Sequence, residues 1–245
     1  KSAKSNVDAL LWSGMKIIHI PDLDYNTNYY TFKDALRAIK NWSDSNKTHV
    51  PIYIMVELKN QAVSDVIPIA GFKKAIPFDE KALLDVRDEI YSIFDTSEIL
   101  KPDDVRGNYE TLRQAVTQKG FPKLKDVRGK VVFILMMHAN EGEIISQKYP
   151  SFRGLPYFAY SKSNSPEAAF INYDDPKKHF QEIKNDVDSG FIIRTRADAE
   201  TREARDNDYS YFEAAKIAGA QIISTDFYLP FKKTGYVITK EMLRK

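Results

Sequence analysis

The sequence predicts an α/β protein built on a parallel sheet covered by helices. Strand-length apolar runs alternate with helix-period segments along most of the chain. Several of those runs are apolar on both faces, as buried parallel strands are. No repeat of fixed period runs through the chain. About six strand–helix steps leave a doubly wound sheet and a (β/α) barrel as the two architectures. Both place functional groups at the C-terminal ends of their strands.

In chain order, the first apolar run, Lys16 to Ile20, is expected as a strand that carries His19 near its end, with Asp22 and Asp24 following. From Thr31 to about Ser43, Phe32, Ala35, Leu36, Ile39 and Trp42 recur on one helical face. "PIYIMVELK", 51–59, is the clearest strand. A loop with Pro68, Gly71 and Pro77 leads to a helix from Asp79 to Phe94, whose buried face is Leu83, Val86, Ile90 and Phe94. "KPDDVRGNYETLRQAV" reads as a turn feeding a shorter helix. "GKVVFILMM", 129–137, is a fully apolar strand, and "PYFAYS", 156–161, and "AAFINY", 168–173, are shorter ones. A helix from Pro176 to Val187 stops at Gly190, a C-cap. "FIIRTRAD", 191–198, is a strand that turns charged, a helix spans about Thr201 to Ala218, and "AQIISTDF", 220–227, closes the pattern. The tail, 229–245, is expected to be irregular.

Composition narrows the function. The 245 residues are 43% hydrophobic and 29% charged, ordinary values for a globular chain. A net charge of +2 gives no pull toward nucleic acid. No apolar run reaches the ~18 residues of a membrane span, and the opening "KSAKSNVDALLWSG" has no apolar core of a signal peptide. With no cysteine there are no disulfides, thiolate metal sites or cysteine nucleophiles. Dinucleotide, P-loop, zincin and nucleophile-elbow motifs are missing as well.

The strand ends carry the chemistry. Alternation puts Tyr53, Met55, Glu57 and Lys59 on one face and Ile52, Ile54, Val56 and Leu58 on the other. The aliphatic face should meet helices and the polar face a crevice or barrel interior. Ile192, Arg194, Arg196 and Asp198 likewise share a face, and the last strand ends in Ser224, Thr225 and Asp226. Each group has a bland explanation: a structural histidine, a Glu57–Lys59 ion pair, a solvated strand exit. Together, an imidazole, a carboxylate and three cations suit a phosphate ester. His19 would be the acid or base, Glu57 a hard-cation ligand, and Lys59, Arg194 and Arg196 phosphate clamps. His138, after "ILMM", is a weaker candidate for the same rim. His49 is expected to be structural and His179 to lie solvated in a helix.

"KIIHIPDLDYNTNYYTFKDALRAIKNWSDSNKTHVPIYIMVELK" resembles the bacterial and fungal calcium-dependent phosphatidylinositol-specific phospholipase C family. "LKPDDVRGNYETLRQAV", "FPKLKDVRGKVVFIL", "FIIRTRADAETREARDND" and "AAKIAGAQIISTDFY" do so too, in the family's order, from about Gly14 to Tyr228. The resemblance implies a distorted TIM-type (β/α) barrel of the phospholipase C-like phosphodiesterase group. It implies cleavage of phosphatidylinositol to diacylglycerol and a (cyclic) inositol phosphate. It makes His19 one of two catalytic histidines and Glu57 a Ca2+ ligand. Lys59, Arg194 and Arg196 match headgroup contacts, while Asp198 and Asp226 sit in matching motifs without assigned roles. It implies a phospholipid partner at a membrane surface and secretion, and a monomer is expected.

The sequence departs from the family at its start. Nothing before Lys16 resembles the family's His-Asn strand, or the acidic strand that completes its metal site. The expectation is a single barrel domain over 1–245 that lacks its first two strands, open and inactive by itself. A glycerophosphodiester phosphodiesterase and a catalytically inert barrel that binds headgroups or glycans are the alternatives.

Overall fold

The computed structural model describes residues 8–20, 24–59 and 76–243. Asp22, Pro68 and Gly71 lie outside the described residues. The chain divides into two compact units, Lys1–Val105 with Pro122–Ala159, and Arg106–Phe121 with Tyr160–Lys245. Each holds a three-stranded, all-parallel sheet.

In the first unit, β1 (Ile52–Glu57), β2 (Val131–Met136) and β3 (Tyr157–Ala159) lie in that order, with Ile52 opposite Val131 and Phe133 opposite Tyr157. The apolar run that predicted β2 is buried on both faces from Val131 to Leu135, as a central parallel strand must be. β1 is an edge strand, and the predicted alternation holds. Tyr53 and Met55 are 42% and 44% exposed and Glu57 is exposed, while Leu58 is buried. Among the described residues no strand pairs with the outer edge of β1.

Helix α1 (Phe32–Ser45) begins where Thr31 accepts the Asp34 N–H at 3.1 Å. Phe32 and Leu36 are buried, but Trp42 is exposed beyond the apolar contact, with its ring against His49. Helix α2 (Glu80–Tyr91) is capped by Asp79, which accepts the Ala82 N–H at 2.8 Å. Its predicted face is buried in full: Leu83, Val86, Ile90 and, past the helix, Phe94. Phe94 meets Phe133 of β2 edge-to-face at 5.8 Å, and the Tyr157 hydroxyl of β3 donates to the Leu83 carbonyl at 3.1 Å. These contacts seat α2 on the sheet.

"KPDDVRGNYETLRQAV" forms α3 (Pro102–Arg106) and α4 (Leu112–Gln118), the second opened by a Thr111–Gln114 capping box. The short α5 (Leu124–Val127) precedes β2. Helix α6 (Ala139–Lys148), which the sequence reading did not anticipate, follows β2 and packs on α2.

In the second unit, β4 (Phe170–Asn172), β5 (Ile192–Arg196) and β6 (Ile222–Ser224) are ordered β4-β5-β6. Asn172 is opposite Arg194, and Arg196 opposite Ser224. Helix α7 (Phe180–Asp188) ends as expected at Gly190. The Phe191 N–H reaches the Asp186 carbonyl at 3.1 Å and the Gly190 N–H the Val187 carbonyl at 2.9 Å. Gly190 has φ +97°, and a Cβ there would stand 2.9 Å from the Val116 carbonyl oxygen of α4. Both the left-handed backbone and the close approach require glycine.

Three expectations are corrected, and the tail shows a feature the sequence did not. Lys16 to Ile20 is not a strand of either sheet. Lys16 bridges Thr31 and Ile20 bridges Asp24, each as a single antiparallel pair. The run is too short before Pro21, which has no N–H to extend a ladder. The helix placed over Thr201 to Ala218 is two helices, α8 (Arg202–Asp206) and α9 (Ser210–Ile217). They part at Asn207, left-handed at φ 53°, in an Asp-Asn-Asp stretch that favours turns over helix interior. His179 lies not inside a helix but at the N-cap of α7, its ring 5.2 Å from that of Tyr173. The irregular tail is anchored. Fully buried Tyr236 packs with Ala197, Ala204 and Phe212, flanked by Tyr209, Phe227 and Phe231. Among the described residues no helix is long and apolar enough to cross a membrane.

Candidate active site

His19 stands one residue before Ile20, whose carbonyl accepts the Asp24 N–H at 2.9 Å. With that bridge made, Asp24 Oδ2 is 3.1 Å from His19 Nδ1. The Asn26 backbone N–H on Asp24 Oδ1, and next the His19 contact, hold the Asp24 carboxyl below its usual range. An ionised carboxylate only accepts, so Nδ1 carries the proton of this bond. Nε2 then takes no partner among the described residues, and the ring is 62% exposed. The segment ahead of it is pinned to α2, where Glu89 Oε1 accepts the Met15 N–H at 2.8 Å. Gly14, at φ +98°, passes so close that a Cβ would lie 2.4 Å from that oxygen.

Glu57 ends β1 on its exposed face. Lys59 Nζ is 3.6 Å from Glu57 Oε2, a loose pair, and the carboxylate has no other hydrogen bond or ion pair among the described residues. Calcium takes six to eight oxygens. Among the described residues no three His, Cys, Asp or Glu side chains gather in a metal-holding group. Glu57 therefore fits as one hard ligand, but the described residues do not by themselves build a calcium site. No hydrogen bond or ion pair joins His19 to Glu57. His138 is exposed at the N-cap of α6 and makes no capping bond with its side chain. His49 is structural, as expected, with Nε2 2.8 Å from Ser43 Oγ.

In the second unit the structure joins the two arginines through a residue the sequence reading missed. Asp174 Oδ1 lies 2.7 Å from Arg194 Nη1 and 3.0 Å from Arg196 Nε. Arg194 is buried, and its fork is filled. Nη1 also donates to Asn172 Oδ1 at 2.9 Å, and Nη2 donates to Ser224 Oγ at 2.7 Å. Arg196 is 38% exposed. Burial pushes the Tyr160 hydroxyl above its ordinary range, so a neutral phenol sits in the field of Arg194 and Asp174.

Asp198 points elsewhere. Buried, it accepts the Thr225 hydroxyl at 2.5 Å and the Asp226 backbone N–H at 3.0 Å. The Tyr236 hydroxyl lies 3.4 Å away. It ties the loop after β6 to the end of β5. Asp226 itself is exposed. No single-sequence signal marks Asp174 as the partner of both arginines. Asp24 was visible after His19 but carried no assigned role.

The first unit thus holds a carboxylate-oriented histidine and an exposed carboxylate, and the second an arginine pair joined by one aspartate. The family model for Ca2+-dependent phosphoinositide phospholipase C matches residues 1–242, and the chain belongs to that family. Its fold is similar to that of a Ca2+-dependent phosphatidylinositol-specific phospholipase C from Streptomyces antibioticus (TM-score 0.59, 15% identity, 83% of this chain and 72% of that one). It is also similar to a calcium-dependent phosphoinositol-specific phospholipase C from the Gram-negative bacterium Pseudomonas sp, described as a myoinositol complex (TM-score 0.55, 16% identity, 79% and 65%). A second crystal form of that protein gives a TM-score of 0.55 at 14% identity, over 87% and 77%. At these identities the likeness is one of fold. The chain spans between 65% and 77% of the length of these three structures. No curated protein sequence matches it.

Proposed function

We propose that the protein is a phosphodiesterase that cleaves phosphatidylinositol at a membrane surface, releasing diacylglycerol and a cyclic or acyclic inositol phosphate. The family match over residues 1–242 carries this reading. Its parallel strands belong, in this proposal, to a distorted (β/α) barrel, and the protein works outside the cell as a monomer.

The residues divide the work. Asp24 fixes the His19 tautomer, leaving Nε2 to move a proton at the inositol hydroxyl or at the diacylglycerol oxygen. Glu57 supplies one carboxylate to calcium, the family's ion, which when bound stabilises charge on the phosphate. Lys59 in the first unit and Arg196 in the second are the cations assigned to the headgroup, and buried Arg194 holds the end of its own sheet in shape. After β6, Tyr228 and Leu229 are 75% and 65% exposed beside Lys232 and Lys233. Their loop is clasped by the Phe231 N–H on the Tyr236 carbonyl at 2.8 Å. An apolar tip with two lysines on a rigid base suits an anionic lipid surface.

Diacylglycerol release from phosphatidylinositol vesicles, with and without calcium, tests the reading. In the whole protein calcium-dependent release is expected, and His19→Ala should lower it at least ~100-fold, the usual scale for an acid or base. Undiminished turnover by that variant removes His19 from the mechanism, and no release by the wild type overturns the function.

A further inference from the structure

The segment that carries His19 is held by hydrogen bonds rather than by packing. Of residues 8–20 none is buried, and Leu11 and Trp12 are 86% and 58% exposed. The Lys16 ammonium folds back on the Trp12 and Gly14 carbonyls, so it ties the segment only to itself. Ahead of His19, three hydrogen bonds reach out of the segment among the described residues. The Phe32 N–H donates to the Met15 carbonyl at 3.0 Å, and the Ile17 N–H to the Tyr30 carbonyl at 3.1 Å. Those two lead to the start of α1. The third, from the Met15 N–H to Glu89 Oε1 at 2.8 Å, reaches α2.

Glu89 is a costly residue for that bond. Its side chain is buried, and Oε2 has no partner among the described residues. An apolar side chain of the same length would avoid the cost of burying a carboxyl group with one bond. What Glu89 supplies is a fixed point. Leu83, Val86 and Ile90 around it are buried, and the Tyr157 hydroxyl bonds the Leu83 carbonyl, so α2 is seated on the first sheet. Gly14 is matched to that point, since its left-handed backbone carries no Cβ to collide with Oε1. The His19–Asp24 bond is local and orients the ring, but it does not fix the ring's distance from α2.

We infer that Glu89 is a positioning residue for His19: by holding the Met15 N–H it keeps the imidazole at one place relative to α2 and the first sheet. This rests on the reading of His19 as acid or base and adds the residue that fixes where it stands.

The test sets stability against turnover in the whole protein. Glu89→Met removes the acceptor and the orphaned oxygen together. A cleft of about 120 Å³, lined by Met15, Thr31 and Glu89 among others, lets water take the freed N–H. Melting should therefore stay within about 4 °C of wild type. The kcat for diacylglycerol release from phosphatidylinositol vesicles should nonetheless fall at least ~10-fold, because a misplacement of about 1 Å can cost ~100-fold. KM should move by less than ~2-fold, since the contacts to the lipid are untouched. Glu89→Gln keeps an oxygen for the Met15 N–H and should restore most of the kcat. Gly14→Ala strikes the same contact from the other side. Joined to Glu89→Met it should add little further loss, as changes at one contact are not additive. Amide exchange at Met15 should quicken in both single variants, a readout independent of catalysis.

Undiminished kcat in Glu89→Met, while the wild type cleaves phosphatidylinositol, overturns the inference and leaves the function standing. So does a Glu89→Gln variant as slow as Glu89→Met, or a fully additive loss with Gly14→Ala. Melting that falls in step with turnover in both single variants makes Glu89 a support of the fold and likewise overturns the inference. Unchanged exchange at Met15 counts against the tether whether or not the lipid is cleaved. Only an absence of phosphatidylinositol cleavage by the wild type counts against the function.

Discussion

Asp198 is the residue whose replacement should cost the most stability for the least change in shape. It is buried, and its carboxylate accepts two short bonds, from the Thr225 hydroxyl at 2.5 Å and the Asp226 N–H at 3.0 Å. The Tyr236 contact at 3.4 Å is too long to count. Hydrogen bonds to a charged group contribute about 1.5–3 kcal/mol each. Asp226 is exposed, so its freed N–H can turn to water, and removing a buried charge offsets part of the loss. Asp198→Ala should therefore cost about 2–3 kcal/mol. In a chain of this length each kcal/mol moves the melting temperature by about 2–4 °C, so a fall of about 4–12 °C is expected. Asp198→Asn, which keeps one acceptor, should lose about half as much. Thermal unfolding followed by circular dichroism at neutral pH reads both. A melting temperature within about 2 °C of wild type for the alanine variant refutes the clamp. Lost turnover without lost stability would make Asp198 a catalytic group instead.

Glu57→Gln should weaken calcium binding by calorimetry and leave melting without calcium unchanged, because an exposed pair as loose as Glu57–Lys59 contributes little. Unaltered calcium affinity would reduce Glu57 to a partner of Lys59. Replacing Tyr228 and Leu229 together by serine should cut sedimentation with anionic vesicles about tenfold, the loss expected when apolar side chains no longer reach the lipid. Ile217→Ser, equally exposed on α9, should not, and equal losses from both would make the binding nonspecific. Burial raises the hydroxyls of Tyr157, Tyr173 and Tyr236 above the ordinary value of 10.0, so the folded state favours their neutral forms. That contribution is intact below pH 10.0 and is lost as pH climbs through the raised values. Stability should be flat through neutral pH and fall in strong alkali, less steeply in Tyr236→Phe. Equal slopes for the variant and the wild type would exclude Tyr236 as a contributor.

What could be read from the sequence was what local pattern encodes. The apolar run of β2 and the face of α2 follow from burial alone, and the exposure of Glu57 follows from alternation along β1. His19 was found as a residue but misplaced as a strand end, because a three-residue apolar run before proline looks the same whether it joins a ladder or a turn. Asp174 escaped because its role needs the pairing of β4 with β5, which sets Asn172 opposite Arg194 across 22 residues of chain. Asp198 and Asp226 resembled two charges at a rim. The structure makes one the anchor of the other's backbone, a relation that spans 28 residues. Tyr236, in a tail of polar composition, gave no sign of being a core residue, since its burial depends on Ala197, Ala204 and Phe212 from other elements.

The register of the first sheet has a consequence in time. Ile52 pairs with Val131, 79 residues later in the chain. At a synthesis rate of about 5–20 residues per second, β1 leaves the ribosome roughly 4–16 s before its partner exists. Through that interval "IYIMV" is an apolar strand with both edges bare, the kind of segment that chaperones hold and that aggregates when they do not. The second sheet has no such delay, since Phe170 and Ile192 are 22 residues apart. Slow translation between β1 and β2 should therefore depress the yield of folded protein, while the same pause placed after β3 should be harmless.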